Sequence, residues 1–360
     1  MKRLTILVLG ALFLAMLAAC GATPPTPTPG AGGAGAAPTA AAGAPRGGGA
    51  TPTRGGAPLR KLTIGLGYIP DIQFAPYYVA QARGYFRDAG LEVEFKQGFD
   101  VDVLKLVGTG VLTVGVAGGD EVLIARSQGV PLVYVGTWFQ KYPVTVAALE
   151  RAHIRTVAEL KGRTIGVPGR YGATYVGLLA LLESAGLKES DVQLREIGFT
   201  QVQALMQGQV DAVVGYTNNE PVQLRALGQA ITTINVFEQV SLVSNGLIVS
   251  ETTLASDPGL VRAVVQAVMR GIQSTIEDPD GAITLATPAI PGAAEKRPQL
   301  RTVLDATLPL LHSDQTTAHG LGYADPAAWT SSRDLLLRLH LLGGDVDLAK
   351  TYSNAYLPTK

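Results

Sequence analysis

Residues 61–95 read KLTIGLGYIPDIQFAPYYVAQARGYFRDAGLEVEF, and their pattern predicts the fold class. The apolar run at 62–66 predicts a strand, and residues 75–89 predict a helix that ends at Gly90. Residues 91–95 alternate apolar and polar side chains with period two, as a half-buried strand does. A strand, a helix and a second strand in this order predict a parallel pair joined by a helical crossover.

The same alternation continues downstream in two cycles. The first cycle adds strands at 111–117 and 132–135 around a helix at 120–128. The second has strands at 164–167, 192–195 and 212–215 and helices at 156–160, 174–185 and 202–207. We interpret the extended segments at 142–149 and 246–250 as crossings between two lobes, and we expect the largely helical residues 257–357 to pack on the first lobe. The predicted fold class is α/β, with two lobes, each a mixed, mostly parallel sheet flanked by helices, and two crossing segments as a hinge.

The N-terminus has the pattern of a secretory signal. Lys2 and Arg3 precede an apolar run at 4–19, which ends in Leu17-Ala18-Ala19-Cys20. A basic start, an apolar middle and small residues before the cleavage point are typical of signal peptides, and the final cysteine resembles a bacterial lipobox, in which Cys20 carries the lipid. An uncleaved membrane helix is the alternative, but the run is shorter than the ~20 apolar residues that span a bilayer.

Composition separates a tether from the folded part of the chain. Residues 21–58 are almost entirely Ala, Gly, Pro and Thr, so they offer little to bury and predict a flexible spacer. The expected organisation is a signal peptide at 1–19, a lipidated tether at 20–58, lobe 1 at 59–145 and 246–360, and lobe 2 at 146–245. Basic and acidic residues balance at 29 each, which gives no reason to expect a nucleic-acid partner.

Candidate ligand-binding residues follow the predicted strands, because ligands of open α/β sheets bind beyond the carboxyl ends of the strands. They combine flat aromatic faces with amide and carboxylate groups, which suits a planar heterocycle with N–H and C=O groups. They are Tyr68, Asp71, Tyr78, Asp120, Gln140, Tyr142, Arg170, Tyr171, Thr174, Tyr216, Asn218, Asn219 and Glu220.

Several of these residues have a structural alternative. Tyr78 lies on a helix and could pack in the core, and Asp120 could serve as a helix N-cap. Asn218 and Asn219 could make turns. Arg170 precedes a helix and could bind an anion such as a sulfonate, or it could be a solvated rim residue.

Specific motifs accompany these positions. They include Gly84-Tyr85-Phe86, Gly90-Leu91-Glu92-Val93, Gly129-Val130-Pro131, residues 160–167 (LKGRTIGV) and residues 208–212 (GQVDA). From residue 61 to residue 356 the chain resembles the sulfonate, nitrate and thiamine-pyrimidine family of solute-binding proteins of ABC importers, and most of all its riboflavin-binding branch.

The resemblance implies the two-lobed periplasmic-binding-protein fold (type II), with a ligand in the interlobe cleft. It implies riboflavin as the ligand, with a thiamine pyrimidine precursor or a sulfonate-type anion as alternatives. The implied partners are an ABC permease and its ATPase subunits, together with the membrane through the lipid on Cys20, at the extracytoplasmic face. No cofactor is implied.

Two further classes of protein are alternatives to a solute-binding protein. Fungal relatives are pyrimidine synthases that use a cysteine cluster, a histidine and iron. This chain has one cysteine, which we assign to the lipid, and its four histidines are scattered in sequence at 153, 312, 319 and 340, so we expect no enzyme. A sensor ectodomain would need a transmembrane helix, and the sequence predicts none after Cys20.

Overall fold

Two five-stranded sheets organise the chain in a computed structural model, which describes residues 58–98 and 100–359. The predicted signal peptide, Cys20 and nearly all of the predicted tether lie outside the described residues. No helix within the described part of the chain has the length and apolar character needed to cross a membrane.

The first sheet defines lobe 1 and has the strand order β2-β1-β3-β10-β4. Its strands are β1 (Arg60–Gly65), β2 (Leu91–Lys96), β3 (Val114–Gly118), β4 (Leu132–Thr137) and, from much later in the chain, β10 (Asn245–Ser250). The pairs of β1 with β2 and β3 are parallel, whereas β10 runs antiparallel to both β3 and β4.

The second sheet defines lobe 2 and has the order β7-β6-β8-β5-β9. Its strands are β5 (Val144–Leu149), β6 (Thr164–Val167), β7 (Gln193–Glu196), β8 (Ala212–Tyr216) and β9 (Ile231–Asn235). Here β5 is the strand that runs against its neighbours, β8 and β9. In each lobe the antiparallel strand is therefore the first one after the chain has crossed over.

Helices surround both sheets. The helices before the second crossing are α1 (Ala75–Ala82), α2 (Tyr85–Asp88), α3 (Asp100–Gly108), α4 (Gly119–Ser127), α5 (Gly172–Ser184), α6 (Gln201–Met206) and α7 (Glu220–Ala226). Those after it are α8 (Glu251–Ser256), α9 (Pro258–Glu277), α10 (Pro279–Ala286), α11 (Arg297–Thr307), α12 (Asp314–His319), α13 (Pro326–Arg338) and α14 (Leu348–Thr351). The expected fold class, two mixed sheets flanked by helices, is confirmed.

The core of lobe 1 depends on close packing of α9 against α1. One face of α9 is buried, including Val264, Val268 and Ile272, because apolar residues recur there at helical spacing. Gly271 lets the two helices approach, since a Cβ at this position would lie 2.1 Å from the carbonyl oxygen of Pro76. Burial of this apolar face stabilises the lobe by roughly 25 cal/mol per Å² of apolar surface.

The interpretation of the two extended segments is wrong. Residues 142–149 and 246–250 were expected to be crossings, but β5 and β10 lie inside the sheets, each between two other strands. The chain instead crosses between Thr137 and Val144 and returns between Asn235 and Asn245. Strand β10 is buried along its whole length and is apolar between Asn245 and Ser250, so its composition alone does not separate a central strand from a buried connection.

The C-terminal helices contact both lobes. As expected, α9 and α10 pack on α1 in lobe 1. Helix α13, however, places Leu335 in the core of lobe 2, and its Arg338 forms an ion pair with Glu183 of α5 at 2.8 Å. The expectation that this region packs on the first lobe is therefore incomplete.

Candidate functional site

A cleft of about 790 Å³, part of it open to solvent, lies between the two lobes. Both lobes contribute aromatic rings to it, namely Tyr68, Phe74, Trp138, Tyr171, Phe199 and Tyr216. Most of the lining comes from loops that follow strands, as expected for carboxyl ends that face each other across two sheets.

Two aromatic groups stand on the lobe 1 side. Phe74 stacks on Trp138 with ring centroids 5.3 Å apart and an interplanar angle of 27°. Tyr68 meets Phe199 of lobe 2 edge to face, with centroids 5.2 Å apart at 88°. Offset-stacked and edge-to-face pairs are the favourable arrangements for aromatic rings, and the second of these contacts joins the two lobes.

Tyr68 also holds the lobes together through its hydroxyl group. Asn219 Nδ2 donates a hydrogen bond to Tyr68 Oη at 3.0 Å. The Tyr68 backbone has φ 64°, in the left-handed region that non-glycine residues rarely adopt. Its carbonyl accepts from Gly98 N at 3.1 Å, which stabilises this conformation. Burial raises the pKa of Tyr68 to about 12, so its hydroxyl keeps its proton at neutral pH.

Glu220 is a buried acid of the cleft. Its Oε2 accepts a hydrogen bond from Tyr216 N at 2.8 Å, so the side chain folds back onto the end of β8. Burial, with a smaller contribution from the nearby charge of Asp71, raises the pKa of Glu220 to about 7. Burial also raises the pKa of Asp71. An acid in this state is partly neutral near physiological pH and can donate as well as accept a hydrogen bond.

The structure brings six of the predicted site residues to the cleft. These are Tyr68, Tyr171, Thr174, Tyr216, Asn219 and Glu220. They come from both lobes, and their contact with a ligand stays a prediction. The other predicted ligand-binding residues do not line the cleft.

Three of the remaining predicted residues form hydrogen bonds elsewhere in the fold. Asp71 caps the short 3-10 helix Ile72–Phe74, where its Oδ1 accepts from Gln73 N at 3.0 Å. Tyr78 lies in the core, and its hydroxyl accepts from Gln97 Nε2 at 3.1 Å. Asn218 is fully buried and donates to Thr307 Oγ1 of α11 at 2.9 Å. The sequence analysis expected these three residues to line the cleft, and the structure places them elsewhere.

Gln140 and Arg170 also lie outside the lining. Gln140 Oε1 accepts from Ser313 Oγ at 3.1 Å, which links the first crossing to the C-terminal region. Arg170 forms ion pairs with Glu189 and Glu196, both in lobe 2. Because two carboxylates already balance its charge, the structure does not support Arg170 as an anion site in the cleft.

Tyr142 and Asp120 form a buried pair instead of lining the cleft. Tyr142 Oη lies 2.8 Å from Asp120 Oδ2 and 2.8 Å from the carbonyl oxygen of Ala173. Asp120 belongs to α4 of lobe 1 and Ala173 to α5 of lobe 2, so this hydroxyl bridges the lobes. Burial raises the pKa of Asp120 to about 6. A hydroxyl has a single proton, so Tyr142 can donate to both acceptors only in alternation unless Asp120 is protonated and donates in return.

Other lining residues were missed by the sequence analysis. They are Gln73, Phe74, Trp138, Phe199, Gln201 and Asn245, together with smaller residues. Trp138 follows β4 directly, and Phe199 and Gln201 follow β7, so the strand-end rule could have found them. Asn245 begins β10, and because β10 is antiparallel its first residue lies beside the carboxyl ends of its neighbours.

Charged and metal-binding groups are sparse at this site. Among the described residues that line the cleft, none is lysine or arginine, and the acid is Glu220. The described part of the chain has no group of three or more His, Cys, Asp or Glu residues placed to hold a metal ion.

Comparison with known proteins gives relatives along the whole chain. Residues 71–282 match the family model described as NMT1/THI5 like. The riboflavin-binding protein RibY of Chloroflexus aurantiacus is 41% identical, and the similarity covers 99% of both chains. The formylaminopyrimidine-binding protein of Halalkalibacterium halodurans is 27% identical over 63% of this chain and 70% of that one.

More distant similarities include an enzyme and solved structures. A 4-amino-5-hydroxymethyl-2-methylpyrimidine phosphate synthase of Legionella pneumophila is 25% identical over 83% of this chain and 92% of the other. The aliphatic sulphonate-binding protein SsuA of Escherichia coli superposes with a TM-score of 0.66 at 19% identity, covering 83% of this chain and 99% of that one. At this identity the superposition shows a shared fold.

Proposed function

Because this chain belongs to the NMT1/THI5-like family, we propose that it binds riboflavin in the interlobe cleft and delivers it to an ABC importer. The single observation that carries this proposal is the aromatic lining from both lobes. Tyr68, Phe74 and Trp138 stand on one side of the cleft, and Tyr171, Phe199 and Tyr216 on the other. A flat tricyclic ring placed between them gains both apolar burial and ring stacking.

A thiamine pyrimidine precursor is the nearest alternative ligand, since it is also a planar heterocycle. Riboflavin is favoured because the 41% identical relative, similar along its whole length, is a riboflavin-binding protein, whereas the pyrimidine-binding relative is 27% identical over part of the chain. A sulfonate-type anion is less suited, because the described lining offers no lysine or arginine and Glu220 would repel it when ionised.

The proposed setting is the extracytoplasmic face of the membrane. Cys20 would carry the lipid, residues 21–58 would let the two lobes reach a permease with its ATPase subunits, and the protein would catalyse no reaction. The family's synthases are matched at lower identity than the riboflavin-binding relative, which supports a binding role.

The proposal can be tested on protein purified without added ligand. We expect a yellow preparation with a flavin absorption spectrum, and riboflavin in the supernatant after the protein is denatured. A colourless protein that also fails to take up added riboflavin would contradict the proposed ligand. Release of a pyrimidine by the denatured protein would identify the alternative.

A further inference from the structure

Trp138 and Asn245 are neighbours where the two crossings leave and rejoin lobe 1. The backbone N–H groups of Trp138 and Phe139 both donate to the Asn245 carbonyl, at 2.9 and 3.1 Å. Both Trp138 and Asn245 line the cleft. The fold therefore makes these two residues neighbours through their backbones, and both contribute to the lining of the site.

Each of these two side chains has a buried polar atom without a partner. Trp138 is 3% exposed and Asn245 is 5% exposed. Among the described residues, neither Trp138 Nε1 nor Asn245 Oδ1 has a hydrogen-bond partner, although Asn245 Nδ2 lies 3.4 Å from Tyr216 Oη. A buried donor or acceptor left unpaired is costly, so such groups in a binding cleft are expected to pair with the ligand.

The indole is held in place before any ligand arrives. Phe139 stacks on it with centroids 3.9 Å apart, Phe74 stacks at 5.3 Å, and Tyr77 meets it edge to face at 84°. Because these contacts leave the ring little freedom, its N–H costs little further conformational entropy when it donates.

We propose that Trp138 Nε1 and Asn245 Oδ1 form a donor–acceptor pair that recognises a cyclic imide edge of the ligand, an inference that rests on the proposed riboflavin function. The indole N–H donates to a ligand carbonyl, and the Asn245 oxygen accepts from the adjacent ligand N–H. The flavin ring has such an edge, in which two carbonyl groups flank the N3–H. A sulfonate, which has acceptors alone at its head, satisfies the indole but leaves Asn245 Oδ1 unpaired.

The test changes the ligand first, so it does not depend on whether a variant folds. Riboflavin and 3-methylriboflavin differ at the proposed N–H, and lumiflavin keeps that edge but lacks the ribityl chain. With the full wild-type chain we expect 3-methylriboflavin to bind at least about tenfold more weakly than riboflavin, because the methyl group leaves Asn245 Oδ1 unpaired. Equal affinities for riboflavin and 3-methylriboflavin would overturn the inference, whereas failure of riboflavin itself to bind would overturn the proposed function.

Variants then test each member of the pair. In Asn245→Ala the penalty for 3-methylation should shrink to less than about threefold, since its partner is gone. Trp138→Phe should weaken the binding of riboflavin and of lumiflavin alike by about tenfold, because the variant keeps an aromatic ring but loses the indole N–H. If Trp138→Phe weakens the binding of riboflavin but leaves the binding of lumiflavin unchanged, the pair contacts the ribityl chain and the inference is wrong.

Trp329 provides the matched control. It is the other tryptophan of the chain, it is fully buried, and its Nε1 also lacks a partner among the described residues. It packs against Tyr134 and Tyr352 and does not line the cleft. Trp329→Phe should leave the riboflavin affinity within about twofold of wild type, and a loss equal to that of Trp138→Phe would overturn the specific role of Trp138.

Discussion

The hydroxyl of Tyr68 in lobe 1 accepts a hydrogen bond from Asn219 Nδ2 in lobe 2, across 3.0 Å. Asn219 Oδ1 in turn accepts from Gln223 Nε2 at 2.6 Å, which fixes the amide. With the edge-to-face contact of Tyr68 on Phe199, this bond closes one side of the cleft. Lobes that separate must break both contacts, so we expect them to form when the lobes close on a ligand.

Tyr68→Phe keeps the ring and removes the interlobe hydrogen bond. We expect riboflavin affinity to fall by about 2- to 12-fold, mainly through faster dissociation, because a neutral hydrogen bond contributes about 0.5–1.5 kcal/mol. Tyr68→Ala should cost at least a further ~1 kcal/mol, since the ring is lost as well. Stopped-flow fluorescence measures both rates.

Tyr85→Phe is the control for this comparison. It removes a hydroxyl that is hydrogen-bonded to Ser274 Oγ at 2.8 Å, away from the cleft. If riboflavin dissociates from Tyr68→Phe at the wild-type rate, or if Tyr85→Phe changes that rate equally, the Tyr68 hydroxyl does not hold the lobes closed.

Glu220 should make stability fall as pH rises. Its pKa is raised from 4.5 to about 7 by burial, so the folded state binds this proton more tightly than the unfolded chain does. Between these two values the folded state therefore loses stability with increasing pH. Glu220→Gln has no titrating group at this position, so it should not lose this stability. The free energy of unfolding of the variant minus that of wild type should therefore increase by about 1–3 kcal/mol as the pH rises from about 4.5 to 8.

Urea unfolding across this pH range measures the effect. Glu238→Gln serves as the control, because Glu238 is an exposed acid that follows β9 at the start of the return crossing. An identical pH dependence in wild type and Glu220→Gln would mean that Glu220 does not carry the raised pKa.

Tyr142 should matter for stability and not for direct ligand contact. Tyr142→Phe leaves buried Asp120 Oδ2 and the Ala173 carbonyl without this donor, which should lower the free energy of unfolding by about 1–3 kcal/mol. Tyr175→Phe, which removes a partly exposed hydroxyl bonded to Glu189, should cost less than about 1 kcal/mol. A Tyr142→Phe protein as stable as wild type would exclude this role.

Cys20 should determine attachment to the membrane. Cys20→Ser is expected to release the protein from the membrane fraction, because each buried methylene of an acyl chain contributes ~0.8 kcal/mol to anchoring. Fractionation of cells that express either form checks this. A variant that stays in the membrane with an uncleaved N-terminus would favour the alternative of a membrane helix.

The periodic parts of the fold could be predicted from the sequence, because burial imposes a period on strands and helices. Residues 91–95 alternate apolar and polar side chains, and they form the edge strand β2. Strands β5 and β10 are buried along their length, so no alternation distinguishes a central strand from a connection. Their antiparallel pairing depends on contacts distant in sequence, which local patterns do not reveal.

The site was predictable where it follows a recognised strand. Tyr68 lies in the loop that follows β1, Tyr216 is the last residue of β8, and both line the cleft. Tyr142 also lies near a strand, but it precedes β5 and its ring is drawn into the core of lobe 2. Asn245 was missed because β10 was read as a crossing, so its first residue was not recognised as part of the sheet edge.

The most direct test of riboflavin binding in the cleft is an equilibrium titration of the full chain, followed by quenching of flavin fluorescence. We predict quenching on the aromatic lining, an affinity that differs little between about 0.05 and 0.5 M salt, and little effect of Arg170→Ala, because the proposed contacts are uncharged. Alkanesulfonate and formylaminopyrimidine are titrated in parallel as competitors. Riboflavin fluorescence that is not quenched by the protein, together with tight binding of a sulfonate that Arg170→Ala abolishes, would contradict the account.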